Sequence, residues 1–137
     1  MNAVDTNVLF YAHDPREPQK QAIAVELIET LADGVLLWQV ACEYLAASKK
    51  LEPHGYSREQ AWQDIRDLQL VWTTLLPDWT ILERADQLLS DYSFSFWDAL
   101  IVAACLEGKI TRFYSEDMHP YPTLSGLEIV NPFDEAT

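Results

Sequence analysis

The sequence predicts an α/β fold, a three-layer α/β/α sandwich around a mainly parallel sheet of about four to five short strands. Three observations carry this expectation. Short apolar runs bounded by turn residues alternate with longer segments of helical periodicity. The helical segments hold more residues than the strand-like ones, as crossover helices over a small parallel sheet require. The chain has 137 residues, the length of one domain, and is 49% hydrophobic against 23% charged, so it has the material for a core. Residues 1–137 are therefore expected to form a single domain.

Taken in order, "NAVDT" reads as a short strand, Ala3-Val4, ending at Asp5. "NVLFYA" forms a helical turn before the break at "HDPREP". From Gln19 to Leu31, Ala22, Ile23, Val25, Leu27, Ile28 and Leu31 recur at helical spacing, and Asp33-Gly34 stops that helix. "VLLW" is a continuous apolar run after a turn, which suits a buried strand. "QVACEYLAASKKL" is helical and ends before Pro53 and Gly55. Ser57 with Glu59 and Gln60 marks a helix start, with Ala61, Ile65, Leu68, Val71 and Trp72 on one face. "TILERADQLLSDY" is a further helix with Ala85, Leu88 and Leu89 on its apolar side. "FWDALIVAACLEGK" is a strongly apolar helix stopped by Gly108. "TRFYS" is a strand, "EDMHPYPTLSG" a loop, and "LEIVNPF" a last short strand.

The totals also narrow the function. "MNAVDTN" has no basic stretch leading into a long apolar one. The longest apolar runs, "VLLW" and "ALIVAACL", fall well short of the roughly 18 residues of a membrane span. No export signal and no membrane segment are expected. Cys42 and Cys105 sit in apolar helical contexts and read as small core residues, which fits a reducing cytoplasm. The formal net charge is −13, from nine Lys+Arg against 22 Asp+Glu. Such a chain repels polyanions at long range and attracts divalent cations or basic peptides.

Four acids are expected to arrive at one edge. In a parallel sheet, strand C-termini and the N-termini of the helices that follow lie on the same side, and function gathers there. Asp5 ends the first strand, and Asp117 follows "RFYS". Glu43 lies in the first turns of the helix after "VLLW", and Asp98 opens the helix before "TRFYS". Taken singly, each has an ordinary explanation: Asp98 as a cap, Glu43 as a solvent-facing residue, Asp5 as a turn former, Asp117 as loop polarity. Taken together they make a cluster whose mutual repulsion a hard divalent cation would relieve.

These segments resemble a family. "VDTNVLFYAHD" is similar to the opening of PIN-domain ribonucleases, above all the VapC-like toxin branch. "QVACEYLAA" resembles the family's second acidic segment, "FWDALIVAAC" its third, "FYSEDM" its fourth, and "LEIVNPF" its terminal strand. The resemblance spans nearly the whole chain, in order. It implies a metal-dependent endoribonuclease in which Asp5, Glu43, Asp98 and Asp117 match the acidic quartet. Thr6 and Ser115 match hydroxyl positions beside it, and Asn7 a structural residue that bonds nearby backbone. The implied cofactor is Mg²⁺ or Mn²⁺. The implied reaction is attack of activated water on RNA, leaving 5′-phosphate and 3′-hydroxyl ends. The implied partner is a small antitoxin with a basic tail, and a homodimer is expected from the family's habit.

The remaining residues are read more plainly. Trp97 is expected to be a core aromatic at the pocket floor, with base stacking the weaker reading. His13 and His119 are expected to have surface or hydrogen-bonding roles, and His54 to lie in a loop. Glu116 faces solvent or supplies an outer oxygen. Two Mg²⁺ ions would bring −13 only to about −9. RNA would then rest on local cations: Arg16 with Lys20, Lys49-Lys50, and Lys109 with Arg112. The rival reading is a catalytically inactive module of the same fold that binds RNA or protein. Two phosphoryl-handling alternatives lack required residues: "FYSEDMHP" has no receiver-type lysine, and "DTNVL" no second Asp.

Overall fold

In the computed structural model, which describes residues 1–118 and 121–134, six strands form one sheet flanked by helices. The strands are β1 (Asn2–Val4), β2 (Gly34–Leu37), β3 (Thr73–Leu75), β4 (Arg112–Tyr114), β5 (Thr123–Leu124) and β6 (Leu127–Val130). Their order is β3-β2-β1-β4-β6-β5. All neighbours are parallel except β5 and β6. The helices are α1 (Thr6–Tyr11), α2 (Pro18–Thr30), α3 (Trp38–Ala47), α4 (Arg58–Val71), α5 (Trp79–Asp91) and α6 (Phe96–Glu107), with a 3₁₀ segment over Ser48–His54.

The central strands are buried because helices cover a parallel sheet, so they read as continuous apolar runs. Ala3 pairs with Val35 and Phe113, and Phe113 with Ile129, giving one buried row across four strands. The ladder runs one residue past two strand ends. The Asp5 N–H donates to Tyr114 O at 2.8 Å, and the Ser115 N–H to Val130 O at 2.9 Å. Asp5 and Ser115 are thereby fixed at the carboxyl edge.

Helices α4, α5 and α6 begin where the sequence supplies side-chain caps. Ser57 and Gln60 form a reciprocal capping box on α4, and Asp78 accepts from the Ile81 N–H to start α5. Ser95 caps α6 by accepting from the Asp98 N–H at 3.1 Å. The cap of α6 is therefore Ser95, and Asp98 occupies the third helical position. The α6 body packs Ala99, Ile101, Val102, Ala103 and Cys105 into the core.

Several expectations are corrected. The expected α4 face ran one residue too far and β3 after it was not foreseen: Val71 is exposed, while Trp72 leaves the helix and is buried. A Cβ on Gly34 would come within 2.5 Å of the Trp72 indole, so Gly34 lets this ring cover the start of β2. Thr73–Leu75, which follows Trp72 and begins with two β-branched residues, pairs with β2. Strand β5 was read as loop. A Ser125-Gly126 turn, both residues at positive φ, folds it back antiparallel on β6. Trp38 opens α3 and does not end the strand before it. Cys42 is exposed where a core position was expected, whereas Cys105 is fully buried. No single helix among the described residues is long and apolar enough to cross a membrane.

Candidate functional site

A cleft of about 720 Å³ opens where β1, β4 and the starts of α1 and α6 meet. Asp5, Glu43, Asp98 and Asp117 all line it, as do Thr6, Asn7 and Glu116. The parallel register explains the convergence: each acid follows a strand's carboxyl end or sits in the early turns of a helix at that edge.

Asp5 is the buried anchor, 6% exposed. Its Oδ1 accepts from the Thr6 N–H at 2.8 Å, and its Oδ2 from the Ser115 hydroxyl at 2.7 Å. The Asp5 carboxyl is pushed up to about 6 in all, chiefly by burial. The two hydrogen bonds pull it down, and the charges of Glu43 and Asp98 push it up further. Glu43 is held by two side chains, Thr6 Oγ1 donating to Oε1 at 2.8 Å and Gln39 Nε2 to Oε2 at 3.1 Å. Asp98 is half-buried. Burial raises its pKa, a Ser95 hydrogen bond opposes this, and the charges of Glu43 and Asp117 add to it. Asp117 is exposed and accepts from Asn7 Nδ2 at 3.2 Å, while its N–H donates to Ser115 Oγ at 3.1 Å. Asn7 Oδ1 in turn accepts from the Glu116 N–H.

Among the described residues, all side-chain and backbone donors to these acids are neutral. Among the described residues, none of the four carboxylates makes an ion pair. Nor, among those residues, are three His, Cys, Asp or Glu side chains grouped tightly enough to hold a metal ion as they stand. The donor set fits a hard divalent cation in type and in charge: carboxylate oxygens only, one carboxylate desolvated, with no ion-paired cation among the described residues to neutralise them.

Other expected residues fall elsewhere. Trp97 is 62% exposed and does not floor the pocket. The first turn of α6 turns its indole to the surface while Ala99 and Ile101 take the core. His13 Nε2 lies 3.1 Å from Asp64 Oδ2, and its ring stacks on Tyr56, a hydrogen-bonding role away from the acids. His54 ends the 3₁₀ segment. His119 lies outside the described residues. Three of the candidate RNA-binding cations are engaged: Arg16 with Asp14, Lys20 with Glu116, and Arg112 with Glu128. Lys50 lines the acidic cleft and is exposed.

One participant, Gln39, escaped the sequence reading, and the role of another, Glu116, was left open there. Gln39 grips Glu43 and also donates to Trp97 O at 3.1 Å, tying α3 to the first turn of α6. Its signal was present, since it lies one helical turn before Glu43. Glu116 is the hub of a second network. It accepts from Tyr11 OH at 2.9 Å and from Lys20 Nζ at 2.7 Å.

Comparison with known proteins adds the family. Residues 3–120 match the model of the PIN domain family. A comparison with curated proteins finds no match. Among solved structures, a toxin–antitoxin complex from Klebsiella pneumoniae aligns with TM-score 0.72 at 19% identity, covering 96% of this chain and 98% of that one. VapC20 of Mycobacterium tuberculosis, described as a sarcin–ricin loop cleaving toxin, aligns with TM-score 0.70 at 16% identity, covering 93% and 99%. FitAcB of Neisseria gonorrhoeae aligns with TM-score 0.67 at 16% identity, covering 97% and 99%. At these identities the alignments establish a shared fold.

Proposed function

From the premise that this chain belongs to the PIN domain family, we propose that it is a metal-dependent endoribonuclease, the toxin of a toxin–antitoxin pair. One observation carries the reading: four carboxylates line one cleft, and none has a cationic partner among the described residues. Assembling such a cluster costs free energy that folding alone does not repay. The similar structures, a toxin–antitoxin complex and a sarcin–ricin loop cleaving toxin, support the same reading.

Asp5, Glu43, Asp98 and Asp117 would hold Mg²⁺ or Mn²⁺. A bound ion of this kind supplies water activation and neutralises charge on the phosphate. The chain's own part is positioning. Ser115 and the Thr6 N–H fix both oxygens of Asp5, Thr6 and Gln39 fix both of Glu43, and Asn7 steers Asp117. Exposed Asp117 and half-buried Asp98 have the freedom to close on an ion that the anchored Asp5 lacks. The substrate is RNA, and the products carry 5′-phosphate and 3′-hydroxyl ends. An acidic chain also suits a basic antitoxin tail, because opposite charge speeds encounter. A homodimer and a cytoplasmic setting complete the proposal.

A second reading, a non-catalytic module, draws on the loose spacing of the acids. Incubation with RNA in Mg²⁺, in EDTA, and with the Asp5→Asn and Asp98→Asn variants separates the two. Cleavage that stops with EDTA and in both variants is the expected result. Variants that cut as fast as the parent would sink the assignment.

A further inference from the structure

Beside the acids lies a second, smaller cleft of about 130 Å³ with almost entirely apolar walls. Trp38, Trp97, Leu75, Leu100 and Gln39 help to line it. Both indoles are strongly exposed, Trp97 by 62% and Trp38 by 50%. Large aromatic rings left in water beside a polar cleft mark a surface that meets something.

The two clefts share a wall. Asp98 belongs to the acidic cleft, and Trp97, its neighbour in the chain, to the apolar one. Gln39 lines the apolar cleft, and its amide nitrogen donates both to Glu43 Oε2 and to Trp97 O, each at 3.1 Å. Both of those partners only accept, so the NH₂ group must face them. The Gln39 amide oxygen makes no hydrogen bond to the described residues.

We propose that this cleft seats one unpaired nucleobase of the RNA, stacked on the Trp97 indole next to the acids. The inference rests on the endoribonuclease reading and names what that site grips. Charge argues for it. A chain of net charge −13 repels phosphates at long range, so contacts that need no cation weigh more. Arg16, Lys20, Arg84 and Arg112 are already ion-paired. Stacking on an aromatic face needs no cation and holds any base. The Gln39 oxygen would accept from an N–H on the base edge. A paired base offers neither its face nor that edge, so the substrate is single-stranded at this position.

The test uses the full chain and a single-stranded RNA hexamer carrying one 2-aminopurine, a base whose emission falls on stacking. Binding is titrated with Ca²⁺ in place of Mg²⁺, since Ca²⁺ also takes oxygen donors. Calorimetric Mn²⁺ titration and sedimentation velocity accompany it. Trp97→Ala is expected to weaken hexamer binding about ten-fold and to remove the quenching. Trp97→Phe is expected to keep most of both, and Trp38→Ala to lose less than Trp97→Ala. Mn²⁺ binding should match the parent throughout. Hexamer affinity unchanged in Trp97→Ala, with Mn²⁺ bound by both proteins, overturns the base subsite and leaves the nuclease reading standing. A Trp97→Ala protein that falls to half the parent's mass with unchanged hexamer affinity overturns it too, because the patch then joins two copies of the chain. A parent that binds neither Mn²⁺ nor the hexamer removes the nuclease reading, and this inference with it.

Discussion

Asp5 and Asp14 line the same cleft and are equally hidden, 6% and 3% exposed, yet their surroundings differ in kind. Asp14 is gripped by Arg16, Nε at 2.9 Å and Nη2 at 3.2 Å, one nitrogen on each oxygen. That guanidinium holds its pKa below the usual carboxylate range. Asp5 has only a hydroxyl and a backbone N–H, and it is pushed up to about 6, chiefly by burial. Glu116 follows Asp14, with Lys20 and Tyr11 as partners, and Glu43, Asp98 and Asp117 follow Asp5. The rim of the cleft neutralises its acids with the protein's own cations and the centre does not. Charge left open at the centre is a place for a charge from outside.

The sharpest way to break this contrast is to remove a central acid. Asp98→Asn should lower RNA cleavage in Mg²⁺ by more than the roughly 10–100-fold that a metal ligand's outer partners usually cost. Single-turnover cleavage of labelled RNA measures it. A drop of only two- or three-fold would put Asp98 with the rim acids. The next effect concerns the neutral donors. Thr6→Val and Ser115→Ala each remove a hydroxyl that fixes Glu43 or Asp5. Each is expected to weaken Mn²⁺ binding by about 10-fold, at the lower end of that same range. Calorimetric titration reads this directly, and Mn²⁺ affinity equal to the parent's would show that the hydroxyls serve the fold alone.

The contrast also has a pH signature in metal-free protein. The folded-state pKa of Asp5 lies near 6, above its ordinary value of 3.8. Folded protein therefore binds this proton more tightly than unfolded protein does. Its contribution to stability is greatest below pH 4 and is lost as pH rises through 6. Asp5→Asn removes that loss. At pH 7.5 with EDTA, the variant should be more stable than the parent by about 2 kcal/mol in urea unfolding. At pH 4 the two should differ little. A variant less stable than the parent at pH 7.5 would mean that the Asp5 charge supports the fold. One substitution would thus stabilise the metal-free chain and abolish cleavage, the trade expected of a strained functional group.

The convergence of the acids was legible because it follows from topology. Parallel strands put Asp5 and Asp117 at one edge, and the helix starts bring Glu43 and Asp98 to it. What was illegible depended on neighbours distant in sequence. Val71 and Trp72 fit a helical face as well as any residues do, yet the helix ends at Val71, Trp72 packs over Gly34, and only pairing with β2 makes Thr73–Leu75 a strand. Trp97 and Cys42 sit in apolar strings, but a helix has an outer side even where its residues are apolar, and both lie on it. Composition does not record which side faces water. Partner choice among charges was equally hidden. Arg16 and Lys20 read as free cations and turn out to be committed to Asp14 and Glu116.

The smallest expected effect tests that last point from the rim. Lys20 Nζ sits 2.7 Å from Glu116 Oε2 and 4.7 Å from the centre of the Tyr11 ring, with about a third of its side chain in water. Solvent screens such a pair, so Lys20→Met should cost only about 0.5 kcal/mol of stability. Its apolar stem and the contact with Tyr11 survive in methionine, which isolates the charge. Glu116 would then lack its cation while keeping the Tyr11 hydroxyl, and the rim would come to resemble the centre. If the two regions are separate in function, Mn²⁺ affinity should stay at the parent's value despite the newly uncovered charge. A clear rise in Mn²⁺ affinity or in the number of ions bound would show that Lys20 limits the site and that the rim belongs to it.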